Sequence, residues 1–117
     1  SATDWVEEPE EPLPERPQAA ATFRYQLQAS DGDHILSQLS QLSRSLGGGI
    51  YTSEGRPKAV YSLESGQQDR VLLKVPASNV TVLIQNLASL GTVSVLSQPD
   101  ILPASGMVGL LIELKAP

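Results

Sequence analysis

The sequence has no cysteine, few aromatic residues and no long apolar run. Without cysteine, disulfides, thiolate metal sites and cysteine nucleophiles are excluded. One Trp, one Phe and three Tyr offer few stacking surfaces for single-stranded nucleic acid. No segment approaches the roughly 18 apolar residues of a membrane span, and no signal-peptide pattern opens the sequence. Any membrane anchor is therefore expected to lie outside this sequence.

Basic clusters are absent too, and the net charge of -5 is unevenly distributed. Residues 1–20 hold six acids against Arg16, whereas residues 21–117 hold seven acids and seven bases. Neutralising phosphates requires a concentrated basic face, so this balance argues against a nucleic-acid partner.

The first 20 residues combine glutamates with four prolines, in SATDWVEEPEEPLPERPQAA. Proline lacks the N–H that helices and central strands need, and like charges repel one another. We therefore predict an acidic, proline-rich flexible linker over 1–20, followed by a single α+β domain over 21–117. The composition does not distinguish an inter-domain stalk from a disordered tail.

The first half of the predicted domain changes from alternating to helical periodicity. Phe23, Tyr25 and Leu27 alternate with polar residues, which predicts a half-buried strand. A helix is predicted next, with Asp31 or Asp33 as its N-cap and Gly47 after its end. Its apolar stripe is Ile35, Leu36, Leu39, Leu42 and Leu46. Short strands are predicted at 50–53 and 59–63.

The second half repeats this order of elements. Residues 70–75 predict a strand, Ser78 is the expected N-cap of a leucine-striped helix, and Gly91 is expected to close that helix. Strands are predicted at 92–96 and at 107–114, the latter closing the sheet.

The two halves align as an internal duplication. YQLQAS…SLGGGIY corresponds to LLKVPAS…SLGTVSV, so each half is a strand, a helix and a strand. Tandem units of this kind predict a ferredoxin-like duplicated β-α-β fold (β-α-β-β-α-β), with a mostly antiparallel sheet and two helices on one face. Additional residues at 54–69 and 97–106 fall outside this plan.

No catalytic, cofactor-binding or metal-binding residues are predicted. His34 is the only histidine, and its neighbours Asp31 and Asp33 are ordinary at a helix start. Glycines 47–49 follow a helix, whereas a phosphate loop leads into one. Four acids do not have the spacing of metal ligands: Glu64, Asp69, Asp100 and Glu113. Asn79 begins a glycosylation acceptor pattern, but it falls at a predicted helix start, where Asn and Thr are ordinary. We expect a non-enzymatic domain without cofactors.

The segment VLLKVPASNVTVLIQNLASLGTVSVLSQ, after YQLQASDGDHILSQLSQLSRSLGGGIY, resembles an uncharacterised extracytoplasmic domain of bacterial envelope proteins. Such domains occur in membrane-anchored zinc-finger anti-sigma factors and in related lipoprotein-like proteins. The resemblance covers most of residues 22–97. It implies a periplasmic or extracytoplasmic domain, tethered to the membrane through an anchor outside this sequence. The proline-bearing segment 99–105 and the final strand depart from that pattern.

These observations favour a non-catalytic interaction or sensing domain of a bacterial envelope protein, such as an anti-sigma factor. Its expected partner is a protein of the cell envelope, or a second copy bound through a sheet edge; the sheet face away from the helices is the other expected surface. A small-ligand-binding regulatory domain and a structural module of an envelope assembly are the alternatives.

Overall fold

The structure, a computed structural model, describes residues 23–117. The predicted linker 1–20 therefore lies outside the described residues. Five strands and two α-helices follow one another along the chain: β1 (Arg24–Ala29), α1 (Ile35–Ser45), β2 (Gly49–Tyr51), β3 (Gln68–Pro76), α2 (Val80–Leu87), β4 (Gly91–Ser97) and β5 (Met107–Lys115). A 3-10 turn, Ala77–Asn79, leads into α2. The predicted α+β class is confirmed.

The five strands form one mixed sheet in the order β2-β3-β5-β1-β4. Three of its four strand pairs are antiparallel, and β1 pairs with β5 in parallel. The ferredoxin-like prediction is not confirmed, because β5 lies between β1 and β3, which are neighbours in that layout. The prediction that residues 107–114 close the sheet is wrong, since β5 is its central strand.

The central position of β5 follows from its apolar composition. Leu110 and Ile112 are fully buried on one face, and Gly109 and Leu111 are half-buried on the other. All nine residues of β5 pair with β3, and five of its positions also pair with β1. Pairing on both sides satisfies the main-chain hydrogen-bonding groups of this largely buried strand. Periodicity predicts the buried faces of a strand, but it does not identify the neighbouring strands.

A single core joins the sheet to both helices. Alternate residues of β1, β3 and β5 are buried on one sheet face, as the period of two requires. The same cluster contains Ile35, Leu36 and Leu39 from α1 and Val80, Leu83 and Leu87 from α2. Both helices therefore cover the same face. Of the predicted stripe of α1, Leu42 and Leu46 are only partly buried, and Ser40 and Ser43 face the core in addition.

The predicted C-terminal end of α1 is confirmed, whereas its predicted N-cap is not. Gly47 has φ +91 and donates to the Arg44 carbonyl, while Gly48 donates to the Ser43 carbonyl, which forms a Schellman motif. The N-cap residue is His34, whose side chain makes no capping bond. The predicted cap is wrong because the Asp31 carboxylate is engaged elsewhere, by the Asp33 N–H and by His34.

The second helix is shorter than predicted at both ends. Ser78 is inside the 3-10 turn, and Asn79 takes the N-cap position without a side-chain cap bond. The helix ends at Leu87, so Gly91 does not close it. Gly91 is instead the first residue of β4, where an added Cβ would lie 2.1 Å from the Gln28 carbonyl oxygen. A glycine is needed there because the two backbones approach closely.

The predicted strand at 59–63 is absent, because those residues form irregular structure. Leu63 is nevertheless buried, and its N–H donates to the Gly32 carbonyl. Leu63 therefore anchors the segment to the core, whereas Val60 and Tyr61 remain exposed.

Candidate protein-interaction surface

The outer side of β4 carries a row of main-chain groups directed away from the sheet. The Ser30 N–H donates to the Leu90 carbonyl, which fixes the hydrogen-bonding phase of the β1–β4 ladder. Since hydrogen-bonded and non-hydrogen-bonded pairs alternate, Thr92 and Ser94 bond to β1. The N–H and C=O groups of Gly91, Val93 and Val95 therefore point outwards. Within residues 23–117, β1 is the only strand that pairs with β4.

The side chains along this edge are uncharged and partly apolar. The strand reads GTVSVLS, with neither proline nor a charged residue. Val95 is 56% exposed and Leu96 is 47% exposed. The register of the β1–β4 pair shifts by one residue at Leu96, which is typical of a β-bulge. Two more exposed apolar residues, Ile101 and Leu102, follow in the connection to β5.

The hydroxyl of Tyr25 positions the start of this connection. It donates to Gln98 Oε1 at 3.1 Å, from a side chain that is buried in the core. Burial raises the pKa of Tyr25, so the phenol stays protonated and remains a donor. The chain just after β4 is thereby tied to β1.

The opposite edge of the sheet is short and covered. β2 has three residues, and beyond it the chain turns back so that Tyr51 bridges to Pro57. The Lys58 N–H donates to the Ile50 carbonyl at 3.3 Å, which occupies an outward acceptor of β2. The two edges therefore differ: residues 52–58 cover β2, whereas Gly91, Val93 and Val95 of β4 direct their main-chain groups outwards.

The sheet face away from the helices is mixed in character. Leu72 and Leu111 are half-buried cross-strand neighbours there, and Lys74 Nζ lies 5.0 Å from the centre of the Tyr51 ring. Towards the other end, Arg24 and Glu113 form an ion pair at 2.9 Å. A hollow of 260 Å³ adjoins this pair, and it is lined by Gln26, Gln68, Asp69, Arg70, Glu113, Leu114 and Lys115. Its lining is mostly polar.

A polar cluster of Lys58, Tyr61 and Asp69 lies at the start of β3. Lys58 Nζ is 2.8 Å from Asp69 Oδ2, and the Tyr61 hydroxyl donates to the same oxygen. The side chains of Lys58 and Asp69 are only 11% and 19% exposed. This cluster connects the segment after β2 to β3, and so holds the cover of the β2 edge in place.

The ionisation of this cluster favours an ion pair with a neutral phenol. Burial opposes the charge on Lys58, but hydrogen bonds to Asp69 and Tyr61 outweigh it and raise the pKa of Lys58. Burial likewise opposes the Asp69 carboxylate, yet bonds from Lys58 and Tyr61 hold the pKa of Asp69 below its usual value. The bond to Asp69 raises the pKa of Tyr61. Near neutral pH, Tyr61 is therefore a hydrogen-bond donor.

His34 lies on the surface beside Asp31. Its Nδ1 is 2.7 Å from Asp31 Oδ2, and both side chains are exposed. The hydrogen bond and the charge of Asp31 raise the pKa of His34, and the bond from His34 lowers the pKa of Asp31. The pair closes the turn that precedes α1.

The other residues considered from the sequence are not brought together. Asn79 Nδ2 donates to the Leu46 carbonyl at 2.7 Å, so this amide links the end of α1 to the start of α2. Asp100 and Glu64 are exposed, and Glu113 pairs with Arg24. Among residues 23–117, no group of three or more His, Asp or Glu side chains could hold a metal ion.

Sequence reasoning missed the asymmetry between the two edges. A signal was present, because 92–96 is a β-favouring stretch without charge or proline, whereas Pro57 and Lys58 follow β2. Identifying β4 as an edge, however, requires the strand order.

In the part of the chain that the structure describes, no helix is long and apolar enough to cross a membrane. The chain matches no protein-family model, no curated protein and no solved structure.

Proposed function

We propose that this domain is a protein-interaction module that binds its partner by strand addition along β4. The observation that carries the proposal is the uncharged outer edge of β4, where the main-chain groups of Gly91, Val93 and Val95 are directed outwards. Strand addition uses such groups for affinity and the alternating side chains for selectivity.

The energetics support the edge over the open face. Each new main-chain hydrogen bond contributes about 0.5–1.5 kcal/mol net. Burial of the exposed part of Val95 and Leu96 adds to this, at about 25 cal/mol per Å² of apolar area. On the open face, by contrast, Arg24 and Glu113 already pair with each other and would lose solvation under a partner.

We further propose that the domain works outside the cytoplasm, as an interaction or sensing part of a membrane-anchored bacterial envelope protein such as an anti-sigma factor. The support for this placement comes from the sequence: the acidic, proline-rich segment 1–20 suits a tether, and residues 22–97 resemble extracytoplasmic domains of that group. The anchor in this proposal lies outside this sequence.

A second candidate function is a regulatory small-ligand domain, which the 260 Å³ polar hollow on the open face favours. A ligand at about 100 times its dissociation constant adds about 2.7 kcal/mol of stability to the native state. A thermal-shift screen of polar metabolites therefore tests it, with Arg70→Ala as the variant that removes a charged group from the hollow.

Site-specific photo-crosslinking of the full-length protein in cells tests the interaction proposal. A photoreactive amino acid replaces Val95 on β4 or, as the matched control, Val82 on α2, which is also an exposed valine at 41%. We expect a protein adduct from position 95 and none from position 82, with the full-length protein in the envelope fraction. Equal adducts at both positions would contradict the β4 assignment, and a cytosolic full-length protein would contradict the envelope placement.

A further inference from the structure

We infer that the partner of the β4 edge is a second copy of this chain, with β4 pairing antiparallel to β4 about a twofold axis at Val93. This inference rests on the proposed function of the edge and names its occupant. The pairing extends the five-stranded sheet of each copy into one continuous sheet.

The main-chain groups of β4 are complementary to themselves in this arrangement. With Val93 opposite Val93 of the other copy, Gly91 lies opposite Val95, and all three outward-facing residues find partners. Hydrogen-bonded antiparallel pairs exchange two bonds each, which gives about six bonds between the copies. These residues point outwards because the bond from the Ser30 N–H to the Leu90 carbonyl determines which residues of β4 bond to β1.

The side chains also fit this register. Val93 and Val95 share the helix-side face with Leu27 and Tyr25, their partners on β1. Gly91 has no side chain, so the 56% exposed Val95 of one copy finds space over Gly91 of the other. On the open face, Ser94 meets Thr92, a pair of small hydroxyl residues that tolerates close approach.

The pairing of two identical strands is usually opposed by repulsion between like charges, and β4 carries no charged residue. Like charges directly opposite one another are destabilising, and natural edges use lysine or proline to prevent such contacts. β4 carries neither, and residues 21–117 have seven acids and seven bases. Two copies therefore approach without net repulsion between their domains.

The edge contact is small, so we expect a weak and reversible dimer. Sedimentation equilibrium should show the mass rising from that of one 12.5 kDa chain towards twice that value, between about 10 μM and 1 mM, the range expected for an interface below the standard size. Val95→Lys should weaken this association at least about tenfold, because it replaces the apolar contact of Val95 over Gly91 of the other copy with a charged side chain, the residue type that natural sheet edges use to prevent pairing. Val82→Lys is the matched control and should leave it unchanged.

Cross-linking checks the register. The natural chain has no cysteine, so Ser94→Cys provides a single thiol, about 7–8 Å from its copy across the axis. A short bismaleimide should convert this variant to a covalent dimer, whereas Val82→Cys should stay monomeric. Circular dichroism of all variants confirms that they are folded before association is compared.

The outcomes separate the two proposals. A chain that stays monomeric throughout the concentration range, while position 95 cross-links to a different protein in cells, overturns the dimer and leaves the interaction function standing. A monomeric chain without adducts at position 95 overturns both. Equal weakening by Val95→Lys and Val82→Lys assigns the dimer to another surface and also overturns the inference.

Discussion

Each strand-helix-strand half of the domain ends in an edge strand, but only the first of these strands, β2, is covered by the segment that follows it. After the first half, the chain turns back over β2 and a half-buried ion pair holds it there. After the second half, β4 runs for seven residues, and no other strand of residues 23–117 pairs with its outer side, where Gly91, Val93 and Val95 direct their main-chain groups. A shared order of elements therefore does not give two equivalent sheet edges, because the segment that follows each edge strand decides whether that edge is covered.

What the halves share is a glycine at each return from helix to sheet. An added Cβ at Gly48 would lie 1.6 Å from the Lys74 carbonyl oxygen, and at Gly91 it would lie 2.1 Å from that of Gln28. We expect Gly48→Ala and Gly91→Ala each to lower the free energy of unfolding by about 3 kcal/mol or more, since backbone must shift in both. Urea unfolding measures the loss.

Gly109→Ala is the control for this pair of variants. Its added Cβ would meet Leu72 Cδ1 at 3.2 Å, a side-chain atom that can rotate away. We expect a loss of about 1 kcal/mol or less. A large loss for only one of Gly48→Ala and Gly91→Ala would show that the two returns are not equivalent.

The cover of β2 has no counterpart on β4, and Asp69→Asn tests what holds it. The substitution leaves the Lys58 ammonium, 11% exposed, without its anionic partner. We expect a loss of about 1–3 kcal/mol at pH 7 in urea unfolding. Glu113→Gln, which removes the more exposed ion pair with Arg24, should cost less. Equal losses would show that the Asp69 pair has no special role.

The same pair has a defined pH window. The pKa of Asp69 is lowered in the folded state, so its stabilisation is present above its unfolded pKa of about 4 and is lost as pH falls through the folded value. The pKa of Lys58 is raised, so its contribution is lost only as pH rises above about 10. Stability measured from pH 2 to 7 should therefore fall less steeply in acid for Asp69→Asn than for the natural chain.

The helix starts also differ between halves, with the smallest expected effect. α1 follows the Asp31–His34 pair, whereas α2 follows an uncharged 3-10 turn. The raised pKa of His34 makes its contribution present below the unfolded value of about 6.5 and lost as pH rises through the folded value. NMR titration should show a His34 pKa above that value, returning towards it in Asp31→Asn. An unchanged pKa in that variant would contradict the pairing.

Local patterns in the sequence predict most elements because each depends on nearby residues. The alternation of Phe23, Tyr25 and Leu27 and the leucine stripe of α1 identify a strand and a helix directly. The strand prediction at 59–63 is wrong although Val60, Tyr61 and Leu63 have strand-like residue types. Val60 is exposed, while Tyr61 and Leu63 anchor a loop through Asp69 and Gly32. Such anchoring depends on residues distant in sequence.

The same local patterns do not predict which strands lie next to one another in the sheet. Phe23 to Leu27 predicts which face of β1 is buried, yet nothing local to β1 or β5 specifies that Arg24 pairs with Leu111. Identifying the candidate surface on β4 likewise requires knowledge of the strand order. The uncharged composition of β4 is evident from its sequence. Its position at the edge of the sheet is known only from the strand order, in which β5 lies between β1 and β3.

The insertion of β5 also sets the order in which the domain can be completed during synthesis. β1 and β3 emerge from the ribosome long before residues 107–115, and each must wait for the strand that joins them. Contacts between such distant segments slow folding. Until β5 has been made, β1 and β3 lack the strand that joins them, and unpaired strand edges of this kind are where chaperones or neighbouring nascent chains bind.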